Sequence, residues 1–248
     1  MRVSDVRGHG GSNFAYRLAI RLPHPGFTAS FSPTAPRVWK DGAVPISISC
    51  ERTDGFEGAI HVRLDNLPSG FSAPESTIPA GENSTALALF ADADAMPPPT
   101  TAPKLKLVAT AKMDGRDVTR EVLGELPVPV ETGDIVTRVQ QSELTIQPGR
   151  EARLTVQVER RNDFKGRIPI EVRGLPHGTR VLDVGLNGIL ITERESSRVV
   201  TFYCEPWAEP TTQAIVVVAR REGQNTEHAA KSVLLHVLPN SPVTADRR

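Results

Sequence analysis

The residues with chemical potential are few and scattered. His177-Gly178-Thr179 offers an imidazole, the commonest general base. His9-Gly10-Gly11-Ser12 offers the glycine-rich backbone that lines an oxyanion hole, with a hydroxyl beside it. Either would serve a nucleophile on a strained turn, and no Gly-x-Ser-x-Gly occurs anywhere in the chain. Asp92 and Asp94 present carboxylates to one loop, yet Ca²⁺ takes several oxygen ligands, and solvated loop acids are the simpler reading. Cys50 and Cys204 do not cluster with any histidine at metal-ligand spacing, so they read as free, buried thiols. Trp39 and Trp207 are the residues suited to a ligand platform, because an aromatic face is an apolar surface on which a sugar ring can stack. These observations assign no catalytic residue, no cofactor and no metal ion.

The pattern that organises the chain is a copy. Glu51-Arg-Thr-Asp-Gly-Phe-Glu-Gly58 runs on through Ile60 to Leu67-Pro-Ser-Gly70, and Glu159-Arg-Arg-Asn-Asp-Phe-Lys-Gly166 runs on through Ile168 to Leu175-Pro-His-Gly178. Glu51, Arg52, Phe56, Gly58, Ile60, Leu67, Pro68 and Gly70 match Glu159, Arg160, Phe164, Gly166, Ile168, Leu175, Pro176 and Gly178 without a gap. The copy supplies structural readings for each. Phe56 and Phe164 fold back over a core, Gly58 and Gly166 supply a backbone geometry closed to other residues, and Leu67 and Leu175 cap the core. Pro68-x-Gly70 and Pro176-x-Gly178 force turns. Arg52 and Arg160 read as partners of Glu51 and Glu159 in a repeated surface pair. His177 stands where the first copy has Ser69, which makes it a turn residue.

Around this copy lie short alternating segments. Ile60, Val62 and Leu64 point one way, and Pro45–Cys50, Thr85–Phe90, Ala152–Val158 and Arg198–Tyr203 read likewise as strands. Ile135–Ile146 opens the second copy as a strand. Asp114-Gly115 between Leu105–Ala109 and Val118–Val122 predicts a tight hairpin. Ala91–Pro103 is proline-rich and predicts a crossing between sheets. Ala214–Ala219 is nearly all apolar and predicts a central strand, whereas Pro169 predicts that its own strand lies at a sheet edge. No segment keeps a helical period. Short strands in this density predict an all-β chain of two tandem immunoglobulin-like β-sandwich domains, preceded by an extra N-terminal strand over Phe14–Leu22. The expected divisions are a remnant strand of a preceding β-domain (1–25), a first sandwich (26–131), a second (132–239) and a flexible tail (240–248), with Glu131-Thr-Gly-Asp134 as linker.

Composition narrows the function classes. Lysine plus arginine and aspartate plus glutamate both number 29 among 248 residues, so net charge gives no reason to expect nucleic acid. No apolar run is long enough to span a bilayer. The first ten residues lack the apolar centre of a signal peptide, which fits either the cytoplasm or a piece of a longer exported chain.

The repeated Glu-Arg…Phe-x-Gly-x-Ile…Leu-Pro-x-Gly string, with Ile78-Pro-Ala-Gly81 and an alternating strand after it, resembles bacterial immunoglobulin-like domains appended to exported proteins. The similarity runs from about Phe27 to Leu238. Asp5–Ile20 is similar to the last strands of the bacterial pre-peptidase C-terminal domain, found in secreted proteases and envelope proteins. His177-Gly178-Thr179 resembles the His-Gly-Thr of subtilisin-like proteases, but that motif continues with a second histidine on a helix, and Arg180 follows here. Glu131-Thr-Gly133 departs from the Asp-Thr-Gly of aspartic proteases in its first residue. The resemblance implies a secreted, periplasmic or surface-exposed location. It implies a non-catalytic C-terminal spacer or docking region whose partner is a protein or a cell-surface glycan, working as a monomer. The competing readings are a carbohydrate- or cell-wall-binding module using Trp39 or Trp207, and an accessory region of a secreted serine protease.

Overall fold

The computed structural model describes residues 5–12, 20–182, 184–185 and 188–239. Its first ten strands are β1 (Gly26–Ser32), β2 (Arg37–Trp39), β3 (Gly42–Thr53), β4 (Ile60–Asp65), β5 (Phe71–Ser72), β6 (Ser76–Ile78), β7 (Ser84–Ala91), β8 (Lys106–Met113), β9 (Arg116–Leu123) and β10 (Val128–Val130). The chain continues with β11 (Ile135–Val139), β12 (Glu143–Ile146), β13 (Glu151–Arg160), β14 (Ile168–Arg173), β15 (Thr179–Val181), β16 (Ile189–Ile191), β17 (Ser197–Cys204), β18 (Thr211–Arg220), β19 (Glu227–Ala229) and β20 (Val233–Val237). The described residues contain no helix. The expected strand over Phe14–Leu22 falls largely on residues 13–19, outside the described residues, as does the expected tail over 240–248. Ile20 and Leu22 are exposed and carry no strand.

The two copies are built alike. In the first, β1-β3-β7-β5 form one sheet and β6-β4-β8-β9 the other; in the second, β11-β13-β17-β15 face a sheet of β16-β14-β18 with β19 and β20. Each pair of sheets encloses its own core, one centred on Ile46, Ile60, Leu87 and Leu107, the other on Leu154, Ile168, Phe202 and Val217. The chain is thus all-β, with two immunoglobulin-like sandwiches in tandem. The opening strand of the second copy is not the single strand expected. It splits into β11, antiparallel to β13, and β12, parallel to β20 in the opposite sheet. The first copy does the same with β1 on β3 and β2 parallel to β10. In the second copy a segment that changes sheets in this way adds an outer strand to each of the two sheets, whereas in the first β2 and β10 form a two-stranded sheet of their own. Asp114 and Gly115, with φ of 47° and 76°, make the tight turn between β8 and β9 as their types predict.

Pro169 is a correction. Its strand β14 lies inside the sheet, between β16 and β18, and not at an edge. The β18 ladder begins at Ile170, one residue past the proline, so the missing N–H falls outside it.

The repeated arginines are a second correction. Arg52 does not pair with Glu51. Its guanidinium donates from Nε to the Glu82 carbonyl at 2.9 Å, from Nη1 to the Gly58 carbonyl at 2.6 Å and from Nη2 to the Pro79 carbonyl at 2.9 Å. Arg160 donates to the Gly166, Glu195 and Thr192 carbonyls at 3.1, 2.6 and 2.7 Å. Each arginine therefore ties the loop after its own strand to the loop before β7 or β17. The rigid planar fork of arginine suits three carbonyls in a way that a lysine cannot reproduce. Glu159 takes Arg161 instead, at 2.7 Å.

The motif glycines also have a reason other than backbone freedom. At Gly58 a Cβ would lie 2.8 Å from the Phe56 ring, and at Gly166 one would lie 2.6 Å from the Phe164 ring. Each phenylalanine folds back onto the glycine two residues later, and Phe56 then stacks on Phe27 with ring centroids 5.8 Å apart. Gly70 and Gly178 do need their type for φ, at 81° and 79°, and each packs against an alanine of the crossing loop, Ala95 or Ala208.

The carbonyl clamp leads to a measurable expectation. Arg52→Met leaves three loop carbonyls without their donor and is expected to lower the stability of the full chain by about 3 kcal/mol, with Arg52→Lys recovering the smaller part. Urea denaturation of the variants beside the parent checks both. A loss no larger than that of an ordinary surface substitution, about 0.5 kcal/mol, would refute the clamp.

Candidate functional site

The two sandwiches do not merely follow one another. The outer face of the β3–β7 sheet packs on the outer face of β18 and β19, through Ala43, Ala86, Ala88 and Phe90 on one side and Val216, Val218 and Ala229 on the other. Ala229 bridges Ala43 and makes the two sheets continuous at that point. This explains why β7 and β18 are apolar at almost every position. Leu87 and Leu89 fill the first core while Ala86, Ala88 and Phe90 meet the second sandwich; Ile215 and Val217 fill the second core while Val216 and Val218 meet the first. Strands covered on both faces lose the polar alternation of a half-exposed sheet.

Polar groups fix the pairing at its margins. Trp39 donates its indole N–H to the Glu227 carbonyl at 2.9 Å and stacks on His228, with ring centroids 4.8 Å apart. The Ser232 hydroxyl accepts the Ala88 N–H at 2.8 Å. Arg138 reaches Asp41 across the junction at 2.5 Å. In the expected linker, Glu131 meets Lys40 at 2.9 Å, the Thr132 hydroxyl donates to the Lys40 carbonyl, and Asp134 receives Arg221 and Asn162. The Asn162 amide, and Arg221 after it, hold the Asp134 carboxyl below the usual carboxylate range.

His228 is the one titratable side chain buried in this junction, 4% exposed, and its Nδ1 has no partner among the described residues. Burial pushes its pKa below the ordinary histidine value, against a smaller upward pull from Asp134. The ring lies against Gly133, where a Cβ would stand 2.3 Å from Cε1.

On one flank the junction opens into two adjoining hollows that share Pro79 and His177. One, of about 530 Å³, lies between Thr77 and Pro79 of the first sandwich and Trp207, Pro210 and Thr211 of the second. The other, of about 510 Å³, has Ser47, Ser84 and Glu82 on the first side and Arg173, Thr179 and Gln213 on the second. Arg173 is held by Glu171 at 3.0 Å and by Glu227. The hydrogen bonds from Arg173 keep the Glu171 carboxyl below its usual range. His177 sits 2.9 Å from Glu82 and tilts against Trp207, with ring centroids 5.0 Å apart.

The sequence-derived candidates separate here. Trp39 is half-buried with one face on His228 and its N–H engaged, whereas Trp207 is 59% exposed at the mouth of the flank. His177 occupies the turn after Leu175-Pro176, and His9 lies far along the chain in an exposed stretch. Asp92 and Asp94 are exposed, and the Asp92 N–H is bound to the Gly70 carbonyl. Cys50 and Cys204 are buried and free. Among the described residues no three histidine, cysteine, aspartate or glutamate side chains converge as metal ligands. Gln213, Arg173 and His228 escaped the sequence reading. The uninterrupted apolar run next to Gln213 was the available signal, since a strand buried on both faces implies a second packing partner.

No family model matches the chain, and no curated protein matches it. Among solved structures, a protein of unknown function from Porphyromonas gingivalis W83 is similar over 84% of this chain and 99% of its own, at 16% identity and a TM-score of 0.29. The Escherichia coli adhesin FdeC is similar over 90% and 67% respectively, at 13% identity and a TM-score of 0.27. The fibronectin(III)-like modules of Clostridium thermocellum CbhA are similar over 89% and 98%, at 10% identity and a TM-score of 0.26. Likeness at these values assigns no ligand or activity to this chain.

The buried imidazole sets a pH dependence. Unfolded chain binds a proton at His228 below about pH 6.5, while the folded chain resists it. Stability is therefore fully present above that pH and is lost as pH falls through it toward the lower folded pKa. The urea midpoint should drop between neutral pH and the mid-fives more steeply for the parent than for His228→Phe. Equal slopes would show that His228 is not the group responsible.

Proposed function

We propose that the chain is a non-catalytic module in which two immunoglobulin-like sandwiches, over 26–131 and 132–239, act as one stiff body within an exported bacterial protein. Its task is to hold flanking parts, or a docked protein, at fixed separation and orientation. The observation that carries this reading is the apolar face shared by β7 and β18, with Ala86, Ala88, Val216 and Val218 at or near zero exposure. A flexible tether needs no such face, and interfaces between domains of one chain are by default more polar and mobile. Resemblance to bacterial immunoglobulin-like domains supports the exported setting.

The test is the motion of one sandwich against the other. Spin labels at exposed sites on the two sandwiches should give one narrow distance distribution, and small-angle scattering should fit a single rigid shape. Ala88→Asp, which buries an unpaired carboxylate in the shared face, should broaden both and split one urea transition into two. A broad distribution in the parent chain, or a hydrolase activity that a single point change abolishes, would overturn the proposal.

A further inference from the structure

The flank of the junction carries features that stiffness alone does not explain. Gln213 is 1% exposed, yet its Oε1 has no hydrogen-bond partner among the described residues. Its Nε2 donates to the Thr85 hydroxyl at 3.1 Å, and Thr85 in turn meets the Ser76 hydroxyl at 3.1 Å. The amide is thus oriented by a chain of hydroxyls and left with one buried acceptor unmatched, and Gln213 is among the residues that line the 510 Å³ hollow. A buried carbonyl without a donor costs about 1–3 kcal/mol, which is a reason to expect a ligand group there.

The neighbouring hollow supplies the complementary half. Trp207 is 59% exposed, in a chain whose other tryptophan is committed to the junction. It stands across from Pro79 with Thr77 and Thr211 nearby. An exposed indole beside hydroxyls, next to an unmatched amide acceptor, matches a ligand with apolar ring faces and hydroxyl edges. The fixed charges do not ask for a charged ligand, because Arg173 is taken by Glu171 and Glu227, and Glu82 faces His177. Both hollows fall in the size range of small-ligand sites, about 300–1,000 Å³.

From these residues we infer that the flank between the sandwiches binds a short, neutral oligosaccharide, with one ring stacked on Trp207 and a hydroxyl of a neighbouring ring donating to Gln213 Oε1. The side chains of both sandwiches enter the site, so binding rests on their fixed pairing. A proline-rich peptide could also stack on Trp207, but its imide nitrogens carry no hydrogen to give to Gln213. Serine and threonine hydroxyls at Ser47, Ser84 and Thr179 provide further partners for sugar hydroxyls.

The experiment titrates the full chain with cellohexaose, xylohexaose, mannohexaose, maltohexaose and chitohexaose, and with decaproline. Tryptophan fluorescence and the side-chain amide resonances of Gln213 are the readouts. At least one oligosaccharide should shift both, with Trp207→Ala and Gln213→Leu each weakening binding by roughly tenfold or more. Gln213→Leu should meanwhile leave the urea midpoint unchanged or higher, since it removes an unmatched acceptor; a purely structural glutamine would lose stability instead. Ala88→Asp should abolish binding if the pairing fails, and its scattering profile separates that cause from a wrong site. No response to any of the five sugars, binding unchanged by Trp207→Ala, or a response to decaproline alone would overturn the inference.

Discussion

A strand buried on both faces has no side available for water, and two such strands meet at the middle of this protein. β7 and β18 each send alternate residues into their own sandwich and the remainder into the face between them. Small side chains at Ala86 and Ala88 let the sheets approach, and Val216 and Val218 fill the space. Trp39, His228, Ser232 and Gln213 stand at the border of that face, where Trp39, Ser232 and the Gln213 amide nitrogen have hydrogen-bond partners and His228 stacks on Trp39. The direction of the two sandwiches and the shape of the flanking hollows derive from that face.

Within each sandwich the corresponding role belongs to an arginine. Arg52 and Arg160 bind three backbone carbonyls apiece, drawn from equivalent turns. Backbone acceptors do not change when side chains do, so the tie survives while Pro79 and Ala80 in one copy are Thr192 and Glu193 in the other. The outward pairs show the opposite behaviour. Arg63 pairs with Asp65, and the matching positions hold Glu171 and Arg173 with the charges exchanged. In the second copy that exchange brings Arg173 to Glu227 at the junction, a contact outside the first copy's pattern.

The repeated turn after Leu67 and Leu175 has likewise been put to a second use. Its outer residue is Ser69 in the first copy and His177 in the second, and only the second faces another sandwich. A position that is plain solvent-facing turn in one setting becomes part of a cleft wall in the other, through placement and not through any change in the turn itself.

Local chemistry was legible in the sequence because it depends on near neighbours. The alternating strands, the Asp114-Gly115 turn and the presence of two sandwiches follow from residue type and period, whereas the packing of Phe56 on Gly58 and of Phe164 on Gly166 did not, because the sequence reading gave those glycines a backbone role. Other features depend on what approaches from far along the chain. The apolar run of Ala214–Ala219 announced burial but not the first sandwich as its cover; Pro169 looked like an edge because its ladder partner's end point is not written nearby; and Arg52 looked like half of an ion pair because carbonyl acceptors have no residue type to read. Gln213 is an ordinary polar residue in the sequence, and only the meeting of two sheets makes it a buried amide beside a hollow. Periodicity and turn chemistry therefore determined the sandwiches, whereas their union and everything at its border were decided by packing between surfaces more than a hundred residues apart in the chain.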